Sequence, residues 1–564
     1  MEMSGANALI EALRREKTQA VFGLPGGAIM PVYDVFYKMQ DLPSELSIRH
    51  VLVRHEQTAA HMADGYARAS GRVGVCMSTS GPGATNLVTG IATAFMDSSP
   101  LIAITGQVAR PFIGKDAFQE TDIIGVVTSV SKYAFQPRKA AEIPQIVKAA
   151  FRIASTRRPG PVVIDIPRDV QQEMGVVEFT DQPIPRRYVP LPDPDPGTVV
   201  RMVDALMKAK TPLIIAGGGV KIAEASQELV ALAELLMCPV ATSLMGKGCI
   251  PEDHPLSIGV MGMHGSSETN HVVPSADVLL IVGSRLSDRT TGNIDKFCPD
   301  SQILHIDLDK AEIAKNKTPT ISLVSDAKKA LKAVHAGLAN CLARKRGSPW
   351  FQKVKNDIDL FALEKDGPYL SAVRAIRLLR KLLPRETIVT TEVGQNQMWS
   401  AVHFQAYGPR QFITSGGLGT MGFGFPAALG AKVARPDVPV LDIAGDGSFA
   451  MTENAMATSI EERIPVTVVI LNNRMLGMVA QWHRMFYGRR YSSVKLGRSP
   501  CFPKLAEAYG AAGVGVQDYK ELSDAVKSAL TSEIMTIIDV PVSPEENATP
   551  MLAPGAGLEE AAIA

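Results

Sequence analysis

The chain has 564 residues, 46% hydrophobic and 20% charged, and its 58 Lys and Arg against 57 Asp and Glu leave a net charge of +1. That balance excludes the basic stripe of a nucleic-acid-binding protein and the polybasic face of a membrane-surface protein. No apolar run is long enough to span a membrane, and the length calls for several domains around a small-molecule partner.

In chain order, MEMSGANALIEALRREK reads as an amphipathic helix of a folded domain and not as a leader, which places the protein in the cytoplasm. Six cysteines, Cys76, Cys238, Cys249, Cys298, Cys341 and Cys501, are scattered without metal-ligand spacing and read as reduced thiols. Short β-branched runs then alternate with helical patterns: VGVCMSTS, PLIAITG, PVVIDIP, PLIIAGGG, DVLLIVGS, ILHIDLD, TIVTTEVG, VPVLDIAGDG and VTVVILNN. Continuous apolar strands separated by helices require parallel sheets covered on both faces. The fold class is therefore α/β, with three doubly wound parallel-sheet domains. Proline-rich DQPIPRRYVPLPDPDPGT (181–198) and a polar stretch over 344–368 read as connectors. Domains of 1–180, 190–343 and 369–545 result, with a tail over 546–564, and no repeat of fixed period is visible.

Within the first domain, Glu56 stands between the strand-like HVLVRH and a helix of small residues, where a carboxylate also suits the helix dipole. In the second, glycine-rich turns such as LIIAGGGV, with an acidic residue ending LHIDLD, resemble generic dinucleotide binding. The third carries VPVLDIAGDGSFAMTENAMATSIEERIPVTVVILNNRMLGMV, 438–479. One strand delivers Gly445, Asp446, Gly447 and Ser448 at its end, and the next delivers Asn472 and Asn473. Neighbouring strand ends in a parallel sheet share a crevice, so Asp446 and Asn473 offer hard oxygen ligands to Mg²⁺. The flanking glycines and the following helix N-terminus suit an anion. Together they predict a diphosphate site with its metal.

A GDG followed after a helix and a strand by NN resembles the signature of thiamine diphosphate (ThDP) enzymes. The resemblance covers nearly the whole chain and is closest to the acetohydroxyacid (acetolactate) synthase catalytic-subunit family. It is carried by FGLPGGAIMPVYD, RHEQTAAHMADGYARASG, TSGPGATN, DAFQE, RPGPVVIDIPRDV and LNNRMLGMVAQWHRMFY. The resemblance implies pyrimidine-binding, central FAD-binding and diphosphate-binding domains in that order. It makes Glu56 the partner of the cofactor's aminopyrimidine, an enclosed carboxylate suited to moving a proton. Asp446, Asn473 and the backbone carbonyl of Met475 become the metal ligands, and Met421 the prop beneath the bent cofactor. Gln395, Gly419, Gly445, Gly447 and Ser448 complete the ThDP contacts, although Asn396 stands where the family often has histidine.

The same resemblance implies decarboxylation of pyruvate and transfer of the two-carbon remnant to a second pyruvate or to 2-ketobutyrate, the first common step toward the branched-chain amino acids. Gln119 and Gly27 would face the reacting groups. Phe118, Arg168, Met478, Val479 and Trp482 would line the substrate pocket, with Arg168 in place of a common lysine. Trp482 would favour 2-ketobutyrate, since one methylene in an apolar pocket is worth about 1 to 3 kcal/mol. A structural, non-redox FAD would be held by Arg158, Gly217, Gly218, Ser243, Leu244, Met261, Gly262, Met263, His264, Gly283, Arg285, Asp288, Arg289, Asp307 and Asp326. Ser287 replaces a common aspartate there. A homodimer or homotetramer, with sites between chains, and a separate regulatory small subunit are also implied. Rival readings are a pyruvate oxidase or a simple 2-keto acid decarboxylase of the same fold, and a non-catalytic nucleotide-binding module.

Overall fold

The computed structural model describes residues 1–39, 43, 47–180, 193–341, 348–359, 370–497 and 500–560. Three six-stranded sheets, parallel throughout, form its framework. The N-terminal sheet runs Arg49–Leu52, Ala20–Gly23, Gly74–Ser78, Leu101–Gln107, Pro161–Pro167, Tyr133–Phe135. The C-terminal sheet runs Phe412–Ile413, Ile388–Thr391, Val440–Gly445, Thr467–Asn472, Thr536–Pro541, Ala512–Gly515. Counted by first appearance, both have the order 2-1-3-4-6-5, whereas the middle sheet, from Pro212–Ala216 to Ile321–Val324, has the order 3-2-1-4-5-6. Strands such as Leu101–Gln107 and Val278–Val282 are buried at every position because helices cover both faces. In each sheet the order reverses beside the first strand, which opens a crevice at the strand ends.

The expected connectors are partly structured. Asp195 caps a helix, Pro196–Lys208, with proline in its first turn, so the end of the proline-rich stretch starts an element. Pro349–Asp359 is also helical; Trp350 and Val354, one turn apart, are buried on the middle unit, and the Trp350 indole donates to Pro212 O at 2.9 Å. The remaining connector residues 181–192, 342–347 and 360–369 lie outside the described residues. The amphipathic start forms the helix Gly5–Arg15. No described helix is long and apolar enough to cross a membrane. Four of the free cysteines are buried, while Cys341 and Cys501 are exposed.

The N- and C-terminal units pack through two equivalent helices, Glu56–Ser70 and Gly424–Ala434. A Cβ on Gly65 would lie 2.2 Å from Ala427 O, and one on Gly430 1.9 Å from Met62 O. Glycine at both positions is what lets the backbones touch. These pairings run in opposite directions, so the helices are antiparallel. At one end Leu52 N donates to Glu462 Oε1 at 2.9 Å and the Thr458 hydroxyl to Leu52 O. At the other, Arg68 binds Asp64 and Asp97 and donates to Thr414 O, and Asp97 accepts from Gly416 N and Gly417 N.

The tail is packed as far as Glu560. Met551 and Leu552 are fully buried; Ala548 bonds Gln481 of the C-terminal unit, and Leu552 N donates to Met263 O of the middle unit.

Candidate active site

The predicted residues fall into two half-sites and a cavity. At the strand ends of the N-terminal sheet, Glu56 opens its helix, with His55 Nδ1 accepting from Gln57 N as the cap. Its carboxylate is 6% exposed, and Oε2 accepts from Asn86 Nδ2 at 2.9 Å. A Cβ on Gly83 would come within 3.4 Å of Oε1 and 2.8 Å of Thr79, whose hydroxyl accepts from Ala28 N on the Gly27 loop. Gly81 meets Gln119 in the same way, and a side chain at Gly27 would face open space. Glu56, Gly27 and Gln119 are thus tied through one glycine-rich turn. Phe118, 88% exposed, and exposed Arg168 project from the same unit.

The second half-site lies on the C-terminal sheet. The strands ending in Gly445 and Asn472 are neighbours in register, as the sequence predicted, so Asp446 and Asn473 emerge side by side. Asp446 is 2% exposed and its Oδ2 has no hydrogen-bond partner. Burial, with the Asp539 charge nearby, pushes its carboxyl up to about 7. A buried orphan carboxylate oxygen lacks a cation or a proton donor, so this donor set fits a hard divalent ion. Asn473 Nδ2 donates to Gln395 Oε1 at 3.1 Å, and Met475 N to Asn473 Oδ1 at 3.1 Å. Among the described residues no group of three or more His, Cys, Asp and Glu side chains could hold a metal, so the ion expectation rests on a carboxylate, an amide and a carbonyl. Asn396, in the family's histidine position, is buried and donates to Glu392 O and Ile443 O. Gly419, at φ +71, leaves open space in front of its Cα near Met421, as a close-lying ligand needs.

Within one chain these half-sites are apart. The Glu56 end of the helix pair meets Thr458 and Glu462, at the start of the Thr467–Asn472 strand, whereas Asn473 follows its far end. The Met421 turn lies at the other end, where Thr420 bonds Thr93. Fifteen helical residues, about 22 Å at 1.5 Å each, lie between.

A cavity of about 790 Å³ opens where the three units meet. Twelve of the fifteen predicted FAD contacts line it: Arg158, Gly218, Ser243, Leu244, Met261, Met263, His264, Gly283, Arg285, Arg289, Asp307 and Asp326, together with Ser287 and Gly419. Burial and the Arg289 charge hold His264 down at about 4, and burial raises Asp307 to about 6. The other three, Gly217, Gly262 and Asp288, are not among its lining residues. Gly217 packs on the neighbouring strand end, where a Cβ would strike Gly283 O at 2.1 Å. Gly262, at φ +115, turns the chain against Arg289 O and Asn270. Asp288 has a 76% exposed side chain and borders a separate cleft of about 340 Å³. That cleft lies between Trp482, Met263 and tail residues from Leu552 to Ala556. Trp482 stacks edge-on against Phe486, with Val479 exposed and Met478 half-buried nearby on the same helix.

Sequence reading missed two groups. Asn86, in the unremarkable SGPGATN, is the side chain that bonds Glu56. Gln481 is wholly buried; its Oε1 accepts from Gln395 Nε2 and Ala548 N, and its Nε2 returns to Ala548 O. Both partnerships join residues far apart in sequence, and spacing carries no sign of them.

Models of the thiamine pyrophosphate (ThDP) enzymes match the chain in three stretches: the N-terminal TPP binding domain over residues 3–126, the central domain over 199–334 and the C-terminal TPP binding domain over 392–540. The chain is 47% identical to the probable acetolactate synthase large subunit of Methanocaldococcus jannaschii, covering 99% of this chain and 94% of that one. It is 45% identical to the acetolactate synthase large subunit of Parasynechococcus marenigrum, with 98% and 90% covered, and 41% to the isozyme 3 large subunit of Escherichia coli, with 99% and 98% covered. With three matching domains and relatives that align from end to end, the chain belongs to the acetolactate synthase large-subunit family of thiamine pyrophosphate enzymes.

Proposed function

We propose that this chain decarboxylates pyruvate and joins the two-carbon remnant to a second pyruvate or 2-ketobutyrate, forming 2-acetolactate or 2-aceto-2-hydroxybutyrate. What carries the reading is the end-to-end identity with acetolactate synthase large subunits. ThDP, when bound, supplies the electron sink for the decarboxylation. Asp446, Asn473 and the Met475 carbonyl hold its Mg²⁺ and diphosphate, while Ser448 and the glycines let the backbone approach. Glu56, fixed by Asn86, holds the proton at the aminopyrimidine end. Trp482, Met478, Val479, Phe118 and Arg168 shape the acceptor pocket, and Gln119 and Gly27 face the reacting groups, from which water must be kept.

The separation of the half-sites supports an assembly in which Glu56 of one chain faces Asp446 of another, so a homodimer is the smallest active unit. FAD occupies the 790 Å³ cavity as a structural group, supported by the dinucleotide-type strand order of the middle sheet. The relatives' designation as large subunits supports a smaller regulatory partner.

Product analysis under anaerobic conditions tests the reading, with purified chain, pyruvate, ThDP, Mg²⁺ and FAD. Acetolactate without flavin bleaching is expected. Acetaldehyde alone, or acetate with reduced flavin, would replace the carboligase by a decarboxylase or an oxidase.

A further inference from the structure

Two carboxylates outside every expectation lie in the core of the C-terminal unit. Glu392 follows the Ile388–Thr391 strand and Asp442 sits on the neighbouring Val440–Gly445 strand, both 0% exposed. A buried carboxylate stays ionised only where donors surround it. Glu392 meets that condition: Oε2 accepts from Gly422 N at 2.8 Å and from the Ser448 hydroxyl at 2.6 Å, and Oε1 from Phe425 N at 3.0 Å. Asp442 does not, for Oδ1 has the Thr390 hydroxyl at 2.8 Å and Oδ2 has no partner. Burial and the Glu392 charge raise the Asp442 carboxyl. Burial raises the Glu392 carboxyl as well, but the donors from Ser448, Phe425, Gly424 and Gly422 oppose that rise, whereas Asp442 has only Thr390, so the donor geometry favours a charge on Glu392 over one on Asp442.

The donors to Glu392 come from three pieces of the half-site. Gly422 follows Met421 and holds φ +82, which turns its N–H inward; Phe425 opens the helix that packs on the Glu56 helix; Ser448 belongs to the turn that carries Asp446. Gly422 N also reaches the Ser448 hydroxyl at 3.1 Å. Space is closed around them, since a Cβ on Gly424 would lie 2.4 Å from Asp442 Oδ1 and 2.5 Å from Glu392 N. We propose that Glu392 is a positioning residue for ThDP, whose buried carboxylate clamps the Met421–Gly422 turn to the Ser448 turn and so fixes the cofactor's prop relative to its diphosphate end. This rests on the proposed reading of Met421, Asp446 and Ser448.

Glu392→Gln keeps the shape but turns an NH₂ toward a peptide N–H that needs an acceptor. With Mg²⁺ present, its Kd for ThDP, read from quenching of tryptophan fluorescence, is expected to rise roughly ten- to hundredfold. At saturating ThDP, deuterium exchange at the thiazolium carbon, followed by NMR after acid quench, is expected to slow, while the FAD titration stays unchanged. Glu392→Asp retains the charge on a shorter arm and is expected to recover part of both; it is also the variant to measure should Glu392→Gln not fold. Wild-type affinity and exchange rate in both variants would overturn the proposal. So would parallel loss of ThDP and FAD binding, which marks a residue that merely holds the fold together. A wild-type chain that binds no ThDP would instead overturn the reading beneath it.

Discussion

The N-terminal and C-terminal units are built on one plan and finished differently. Their sheets share the order 2-1-3-4-6-5, and the helix after the second strand of each, beginning at Glu56 and at Gly424, supplies the contact between them. Their equivalent strands Pro161–Pro167 and Thr536–Pro541 end in Ile164-Asp165-Ile166-Pro167 and Ile538-Asp539-Val540-Pro541. Asp165 meets Thr105, Gln107 and Gln136, whereas Asp539 meets Asn472, beside the proposed metal ligands. The N-terminal carboxylate is thus satisfied by three donors, while beside Asp539 the C-terminal unit leaves Asp446 Oδ2 without a partner. Because the connecting helices are antiparallel, the two ends face away from each other within a chain. That separation is what the proposed homodimer rests on.

The largest effect should come from Glu56→Gln, which removes the proton-handling group of the N-terminal half-site. We expect kcat for acetolactate to fall roughly 100- to 10,000-fold with ThDP affinity, measured by fluorescence quenching, near wild type. Unchanged activity would leave the N-terminal unit without its proposed role. Next, chains carrying Glu56→Gln and Asp446→Ala, inactive alone, should regain roughly a quarter of wild-type activity when dissociated together and reassembled, because half of random pairs are mixed and each restores one of two sites. No recovery after mixing, with mixed pairs demonstrated by differential tagging, would put both half-sites in one chain.

The pH response separates the units further. Burial raises Asp165 from 3.8 to about 6. With its folded pKa above the unfolded one, the folded chain holds the extra proton. Its stabilising contribution, about 3 kcal/mol, is full below the unfolded value and is lost as pH rises to about 6. Urea titrations between pH 4 and 7 should show wild type losing stability relative to Asp165→Asn across that window; a constant gap contradicts the assignment. The smallest effect concerns the seam. Gly430→Ala places a methyl against Met62 O and should lower the unfolding free energy by about 1 to 3 kcal/mol, visible in the urea midpoint.

The adjacency of the two strand ends of the proposed site was legible before any fold. Asp446 and Asn473 could be paired because strand ends in a parallel sheet are neighbours, a rule that needs only the order strand, helix, strand. Trp350 and Val354 were passed over because the charged residues around them hid a two-position apolar stripe. Glu392, Asn86 and Gln481 were invisible for another reason. A polar residue bonded to a partner 30 to 86 positions away leaves no periodicity behind.

By itself, the sequence determined the α/β class, the parallel sheets and which residues stand at the strand ends, since hydrophobic period and turn residues act over a few neighbours. Only the tertiary structure decided that the first and last units share one strand order, that their glycine-lined helices run antiparallel and that Glu56 and Asp446 therefore point to opposite ends of the chain. Those relations depend on how whole elements pack. Backbone contacts at Gly65 and Gly430 set them, and local sequence preferences do not encode them.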